Sequence, residues 1–224
     1  MRGFETDIRM CSDGTLIIMH DSHVSRVMVG EGLIEEHPWS YFKGMLSKKH
    51  GNPISCLDDL LEFFNAHPGL YVEFEMKVDK KAYPDDVIPV YCEKVYEAVY
   101  AHKPAESVYV LSSFDQRTIR YLMEHHPERS DLYMAIYGQS IFQDLIDDAK
   151  ALGVKRVAAM IQGTSAAKVK ELRAAGVDWI NLWPVQTPEE GLLAYSLGAD
   201  ILCLDAPVTF FTWLSANAPW MPVY

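Results

Sequence analysis

Short β-branched or aromatic runs alternate along this chain with longer amphipathic stretches, and that alternation restricts the fold more than any other feature. Strand-like runs fall at residues 3–9, 15–20, 70–77, 107–112, 132–137, 154–160, 179–185 and 200–204. Helical patterns fill most of the intervals, at 57–65, 84–100, 116–125, 140–152, 166–175 and 188–196, and a closing helix is expected after Ala206. Gly153, Gly176 and Gly198 each follow a helical stretch, where a helix end favours a left-handed residue. Thr187-Pro188-Glu189-Glu190 carries a cap residue, a first-turn proline and two acids near the positive end of the helix dipole. Strands and helices in alternation argue for a parallel sheet, and at 224 residues for an α/β fold of the TIM-type barrel kind. Residues 1–224 read as one domain, with 21–52 as a short insert.

The first two strands break the pattern. Too few residues separate them for a parallel crossover, and Asp13-Gly14 is a strong hairpin signal. A turn centred on that pair makes facing positions sum to about 27, which sets Asp7 opposite His20. Alternation then places Glu5 and Asp7 on one face of the first strand. The count becomes seven parallel-type strands and one hairpin return, one strand short of an eight-stranded parallel barrel.

Two segments carry acids with a period of two: Glu5-Thr-Asp7 and Glu73-Phe-Glu75-Met-Lys77. Carboxylates at neighbouring strand ends suit a hard dication such as Mg²⁺ or Ca²⁺. Lys77 can hold a phosphate oxygen as a point charge, and His20 can move a proton near neutral pH. A lone Glu-x-Asp is usually a solvated strand edge. Three acids, a histidine and a lysine at the ends of apolar strands need a partner or a metal. His125-His126 suits a helix C-terminus, and the cysteines have no neighbouring histidine to make a nucleophile.

The order of these motifs resembles the glycerophosphodiester phosphodiesterase family. Gly3-Phe-Glu-Thr-Asp-Ile-Arg9 followed by Asp13-Gly-Thr-Leu-Ile-Ile-Met-His20-Asp21 is similar to its metal-binding hairpin. Arg26, Gly30 and Gly32 resemble the loop after it, and Pro53-Ile-Ser-Cys-Leu-Asp-Asp resembles the next helix start. Glu75-Met-Lys77, Ser112-Ser113-Phe114, the Trp183 strand and the run from Gly198 to Pro207 then follow in the family's order. The resemblance spans essentially the whole chain. It implies a TIM-type barrel that hydrolyses glycerophosphodiesters to glycerol 3-phosphate and an alcohol, with one divalent cation (Mg²⁺, Ca²⁺ or Mn²⁺). It implies that Glu5, Asp7 and Glu75 hold the metal and that His20 is the general acid/base. By the same resemblance Lys77 would bind phosphate and assist catalysis, and Phe114 and Trp183 would line the substrate.

The family's opening His-Arg-Gly strand and first helix, which carry a second histidine, have no match in this sequence. The barrel is therefore expected to lack its first strand and helix, and a homo-oligomer is expected to cover the open edge. The alternative from a different class is a catalytically weak or inactive member that binds a phosphorylated ligand or a partner protein. Pro184-Val-Gln186 also stands where the family usually carries Thr-Val-Asn.

Composition narrows the partners. The formal charge of −11 disfavours nucleic acid and anionic membranes, which call for a basic face. No apolar run approaches the roughly 18 residues of a membrane span. Four scattered cysteines (Cys11, Cys56, Cys92, Cys203) suit a reducing, cytoplasmic setting, and the family resemblance implies a small phosphodiester as the substrate.

Overall fold

The computed structural model describes residues 3–220. They fall into two compact units, one up to His125 and one from His126 onward. The first contains β1 (Gly3–Met10), β2 (Leu16–Ile18), α1 (Trp39–Phe42), α2 (Leu57–Asn65), β3 (Tyr71–Met76), α3 (Ile88–Ala101), β4 (Val108–Ser113) and α4 (Gln116–His125). Its strands lie in the order β2-β1-β3-β4, with β2 antiparallel to β1 and the other three parallel.

The hairpin turn is longer by one residue than Asp13-Gly14 alone suggests. Cys11 N–H donates to the Thr15 carbonyl at 2.8 Å and Gly14 N–H to the Cys11 carbonyl at 2.9 Å. The loop is thus Ser12-Asp13-Gly14, with Gly14 in the left-handed region at φ +84°, as a three-residue hairpin loop requires. The register becomes Ile8↔Ile18, Arg9↔Ile17 and Met10↔Leu16. Asp7 therefore faces Met19, whose N–H donates to the Asp7 carbonyl at 3.0 Å, and not His20. Because β2 stops at Ile18, His20 lies past the strand, where alternation no longer fixes its direction.

In β3, Val72, Phe74 and Met76 are fully buried and Glu73 and Glu75 take the opposite face. The apolar side meets an aromatic series: Phe64 of α2 packs edge-on to Phe74, which packs edge-on to Tyr109 of β4. Helix α3 adds Tyr91, whose hydroxyl donates to the Ile8 carbonyl at 2.7 Å, so strand and helix are tied by a buried bond. This helix begins at Ile88, later than the pattern suggests, because residues 84–87 close a turn on the Pro84 carbonyl. The stretch 21–52 folds over its own apolar cluster, in which Val24, Met28, Ile34 and Phe42 pack with Cys11 and Ile17 of the hairpin.

The second unit contains β5 (Tyr133–Ser140), α5 (Gln143–Leu152), β6 (Arg156–Met160), α6 (Ala166–Ala174), β7 (Trp179–Val185), α7 (Pro188–Leu197), β8 (Ile201–Leu204) and α8 (Pro207–Asn217). Its strands run parallel in the order β5-β6-β7-β8. The caps expected from sequence are present: Gly153 and Gly198 end their helices at φ +73° and +97°. Thr187 and Glu190 form a reciprocal capping box at the start of α7. The two units together hold the seven parallel-type strands and one return expected from sequence. Among the described residues, no helix is long and apolar enough to cross a membrane.

Candidate active site

Register builds the acidic cluster. Strands β1 and β3 pair in parallel with Glu5 beside Glu73 and Asp7 beside Glu75. All four side chains share one face, since each strand alternates with period two. Glu5, Asp7 and Glu75 each offer a carboxylate oxygen within 4.8 Å of the others. Glu75 is 7% exposed, while solvent still reaches Glu5. Glu73 lies deeper and accepts a 2.7 Å hydrogen bond from the Tyr71 hydroxyl.

Lys77 follows β3 directly, and its N–H donates to the Ile8 carbonyl at 3.0 Å. The ammonium lies 3.1 Å from Asp7 Oδ1 and 2.5 Å from Glu75 Oε1, with the side chain only 13% exposed. It also stands 5.6 Å over the ring of Phe114, which follows β4 and is half exposed. An ammonium has three donors, so two on carboxylates leave one for a substrate oxygen.

The electrostatics fit a dication. With all three carboxylates ionised against one ammonium, the cluster would carry a local excess of two negative charges. Burial, and then the charges of Asp7 and Glu75, push the Glu5 carboxyl up to about 8, against the opposing pull of Lys77. Solvent at the outer edge of Glu5 moderates that push. Burial likewise raises Glu75, with Lys77 as the main counterweight. An all-oxygen donor set of this kind suits Mg²⁺, Ca²⁺ or Mn²⁺ and is poorly matched to soft metals.

His20 is built differently. Its Nδ1 meets Asp21 Oδ1 at 2.7 Å, which leaves Nε2 for substrate, and the side chain is 61% exposed. Asp21 is gripped by Arg26 through Nε on Oδ2 and through Nη2 on Oδ1. That guanidinium holds the Asp21 carboxyl well below the usual carboxylate range, with the bond to His20 adding to the effect. On the main-chain side, Arg9 Nε donates to the His20 carbonyl at 2.9 Å, and Arg9 Nη1 to Glu35 Oε1 at 2.7 Å. Charge on the imidazole opposes the rise at Glu75, though less than Lys77 does. Beside it opens a shallow cleft of about 430 Å³ lined by Arg9, His20, Asp21, His23 and Arg26.

Of the residues expected from sequence, the structure brings Glu5, Asp7, Glu75 and Lys77 into direct contact or near it, with Phe114 against Lys77. Trp183 lies on β7 in the second unit, half-buried near the strand's C-terminal end. Sequence reasoning assigned no role to the Asp21–Arg26 pair and did not single out Arg9 or Glu35. The odd numbering that Arg9 shares with Glu5 and Asp7 puts it on the same strand face, and that was the available signal. Nothing local marks Glu35, which comes from a distant segment.

Residues 1–209 match the model of the glycerophosphoryl diester phosphodiesterase family. Among solved structures, the chain is similar to an Oleispira antarctica phosphodiesterase in complex with the product sn-glycerol-3-phosphate. That likeness is at 19% identity, covering 94% of this chain and 84% of that one, with a TM-score of 0.80. A glycerophosphodiester phosphodiesterase from Parabacteroides distasonis aligns at 18% identity over 97% and 85% of the two chains, TM-score 0.73. One from Thermotoga maritima aligns at 18% identity over 94% and 84%, TM-score 0.68. These structures share the TIM-type α/β fold expected from the strand–helix alternation. With the family match running over residues 1–209, the chain belongs to the glycerophosphoryl diester phosphodiesterase family.

Proposed function

We propose that this chain hydrolyses glycerophosphodiesters to glycerol 3-phosphate and an alcohol with the help of one divalent cation. The observation that carries the reading is the convergence of three carboxylates and an ammonium from β1 and β3. The product complex of the Oleispira antarctica relative supports the substrate class.

In this reading Glu5, Asp7 and Glu75 hold the ion, which when bound neutralises charge on the non-bridging phosphate oxygens. Lys77 takes a further phosphate oxygen with its third donor. Water adds to phosphorus as the bond to the alcohol oxygen breaks; protonated His20 gives its Nε2 proton to the departing oxygen, and the proton released from the added water restores the ring. Asp21 sets the tautomer and direction of the ring for that transfer. Phe114 walls the substrate beside Lys77. We further assign the chain to the cytoplasm, because its four cysteines are widely scattered along the sequence and lack the dense spacing of a disulfide scaffold.

The test is hydrolysis of glycerophosphodiesters by the purified chain across Mg²⁺, Ca²⁺ and Mn²⁺, with chelator as the control. Turnover that appears with metal and disappears with chelator supports the reading. Metal binding without turnover would make this a phosphate-binding member of the family instead.

A further inference from the structure

The geometry points to the Arg9–Glu35 ion pair as a positioning device for His20, which deepens the reading above and rests on it. Arg9 extends from the same face of β1 as Asp7, and its guanidinium forks between two acceptors: the His20 carbonyl and the Glu35 carboxylate. The two side chains are only 9% and 11% exposed. A pair so far removed from water contributes little net stability, because desolvation offsets the attraction. What a planar, fixed fork supplies is direction.

His20 needs direction from outside its own strand. Regular pairing of β2 ends at Ile18, and the last hairpin bond runs from Met19 N–H to the Asp7 carbonyl. Asp21 orients the ring but hangs from the same short segment. The bond from Arg9 anchors the peptide that bears the ring to β1, the strand that supplies Glu5 and Asp7. Glu35 in turn fixes the guanidinium plane from a 3₁₀ turn, Ile34–Glu36, whose Ile34 sits in the apolar cluster under the hairpin. Docking of the 21–52 stretch is thereby transmitted to the placement of His20.

The experiment compares the wild-type chain with the double variant Arg9→Met/Glu35→Leu, which removes both charges and keeps the apolar volume, and with Arg9→Lys. The double variant is expected to fold, to bind metal as before and to keep KM within about twofold, while kcat falls about 10- to 100-fold. Arg9→Lys keeps the charge but loses the fork, and is expected to lower kcat in the same direction. The His20 ring is followed in parallel by NMR, through the Nδ1 proton facing Asp21. That signal is expected to shift or vanish in both variants, and it can be read whether or not the chain turns over substrate. A folded double variant with wild-type kcat and an unmoved His20 signal overturns the proposal. If the double variant does not fold, an unmoved signal in Arg9→Lys does so alone. Absence of hydrolysis by the wild-type chain counts against the hydrolase reading, and the His20 signal still decides the positioning role.

Discussion

The acidic cluster and the His20 segment lie within one unit and are held by different means. Glu5, Asp7 and Glu75 stand on paired strands, so backbone register sets their spacing and burial sharpens their mutual repulsion. His20 stands just beyond a three-residue strand, mostly exposed, and is placed by side chains: Asp21 on the ring, Arg26 on Asp21 and Arg9 on the carbonyl. A register-built site is rigid and intolerant of change. A side-chain-built site loses function by degrees as its supports are removed.

The two halves of the comparison predict losses of different kinds. Glu75→Gln removes a buried member of the proposed metal site, so metal binding should disappear with about 10,000-fold or more of the turnover. Calorimetry with Mn²⁺ run beside the hydrolysis assay checks both, and retained metal binding in a folded Glu75→Gln protein would break the assignment. His20→Gln should cost about 100- to 1,000-fold in kcat while metal affinity is kept, since in the proposed reaction the ring transfers a proton and holds no ion. Asp21→Asn should cost less, about tenfold, because the ring remains and loses its orienting acceptor. If His20→Gln also abolished metal binding, the separation between the two regions would collapse.

The same division marks what was legible in the sequence. Period two along β1 and β3 gave Glu5, Asp7, Glu75 and Lys77, because alternation is a local property that parallel pairing preserves. Helix ends at Gly153 and Gly198 and the Thr187–Glu190 box were readable for the same reason. The placement of His20 was not, and the error was one residue of hairpin register. Whether Asp13-Gly14 closes a two- or three-residue loop depends on where the positive φ is spent, and here Gly14 spends it after Ser12 and Asp13 have entered the turn. Asp13 has further work, accepting from the N–H groups of Thr15 and of Trp39. That second partner, like Glu35 on Arg9, comes from the distant 21–52 stretch, and no periodicity announces such a contact.

Titration sharpens the register-built side further. Glu5 has its pKa raised to about 8, so between its ordinary value and there the metal-free protein holds a proton that the unfolded chain has already released. Metal must displace that proton. Affinity for Mn²⁺ or Ca²⁺ should therefore rise with pH from about 5 to about 8, by at most about tenfold per unit for one proton, and then level off. By the same sign, the metal-free chain should lose stability as pH rises through that window, and bound metal should flatten the dependence. Affinity that is constant over the window would mean that solvent at the edge of Glu5 screens the repulsion and that the carboxylates are ionised throughout.

The smallest expected effect concerns the hairpin that joins the two regions. Gly14→Ala places a side chain at φ +84°, and its Cβ would stand 3.0 Å from Lys94 Cε. The left-handed conformation alone costs about 1–2 kcal/mol, and the flexible end of Lys94 can move aside at little further cost. In a chain of this length that corresponds to a fall in Tm of roughly 2–8 °C by thermal unfolding. The informative quantity is what happens to function in the folded fraction. If the loop keeps its three-residue form, Asp7 still faces Met19, metal affinity is unchanged and only stability moves. If the alanine drives the turn to the two-residue form, the β2 register slips by one and carries His20 with it. Turnover would then fall while Glu5, Asp7 and Glu75, fixed by β1 and β3, bind metal as before. Either outcome separates the part of the site that the sheet makes from the part that the loop carries.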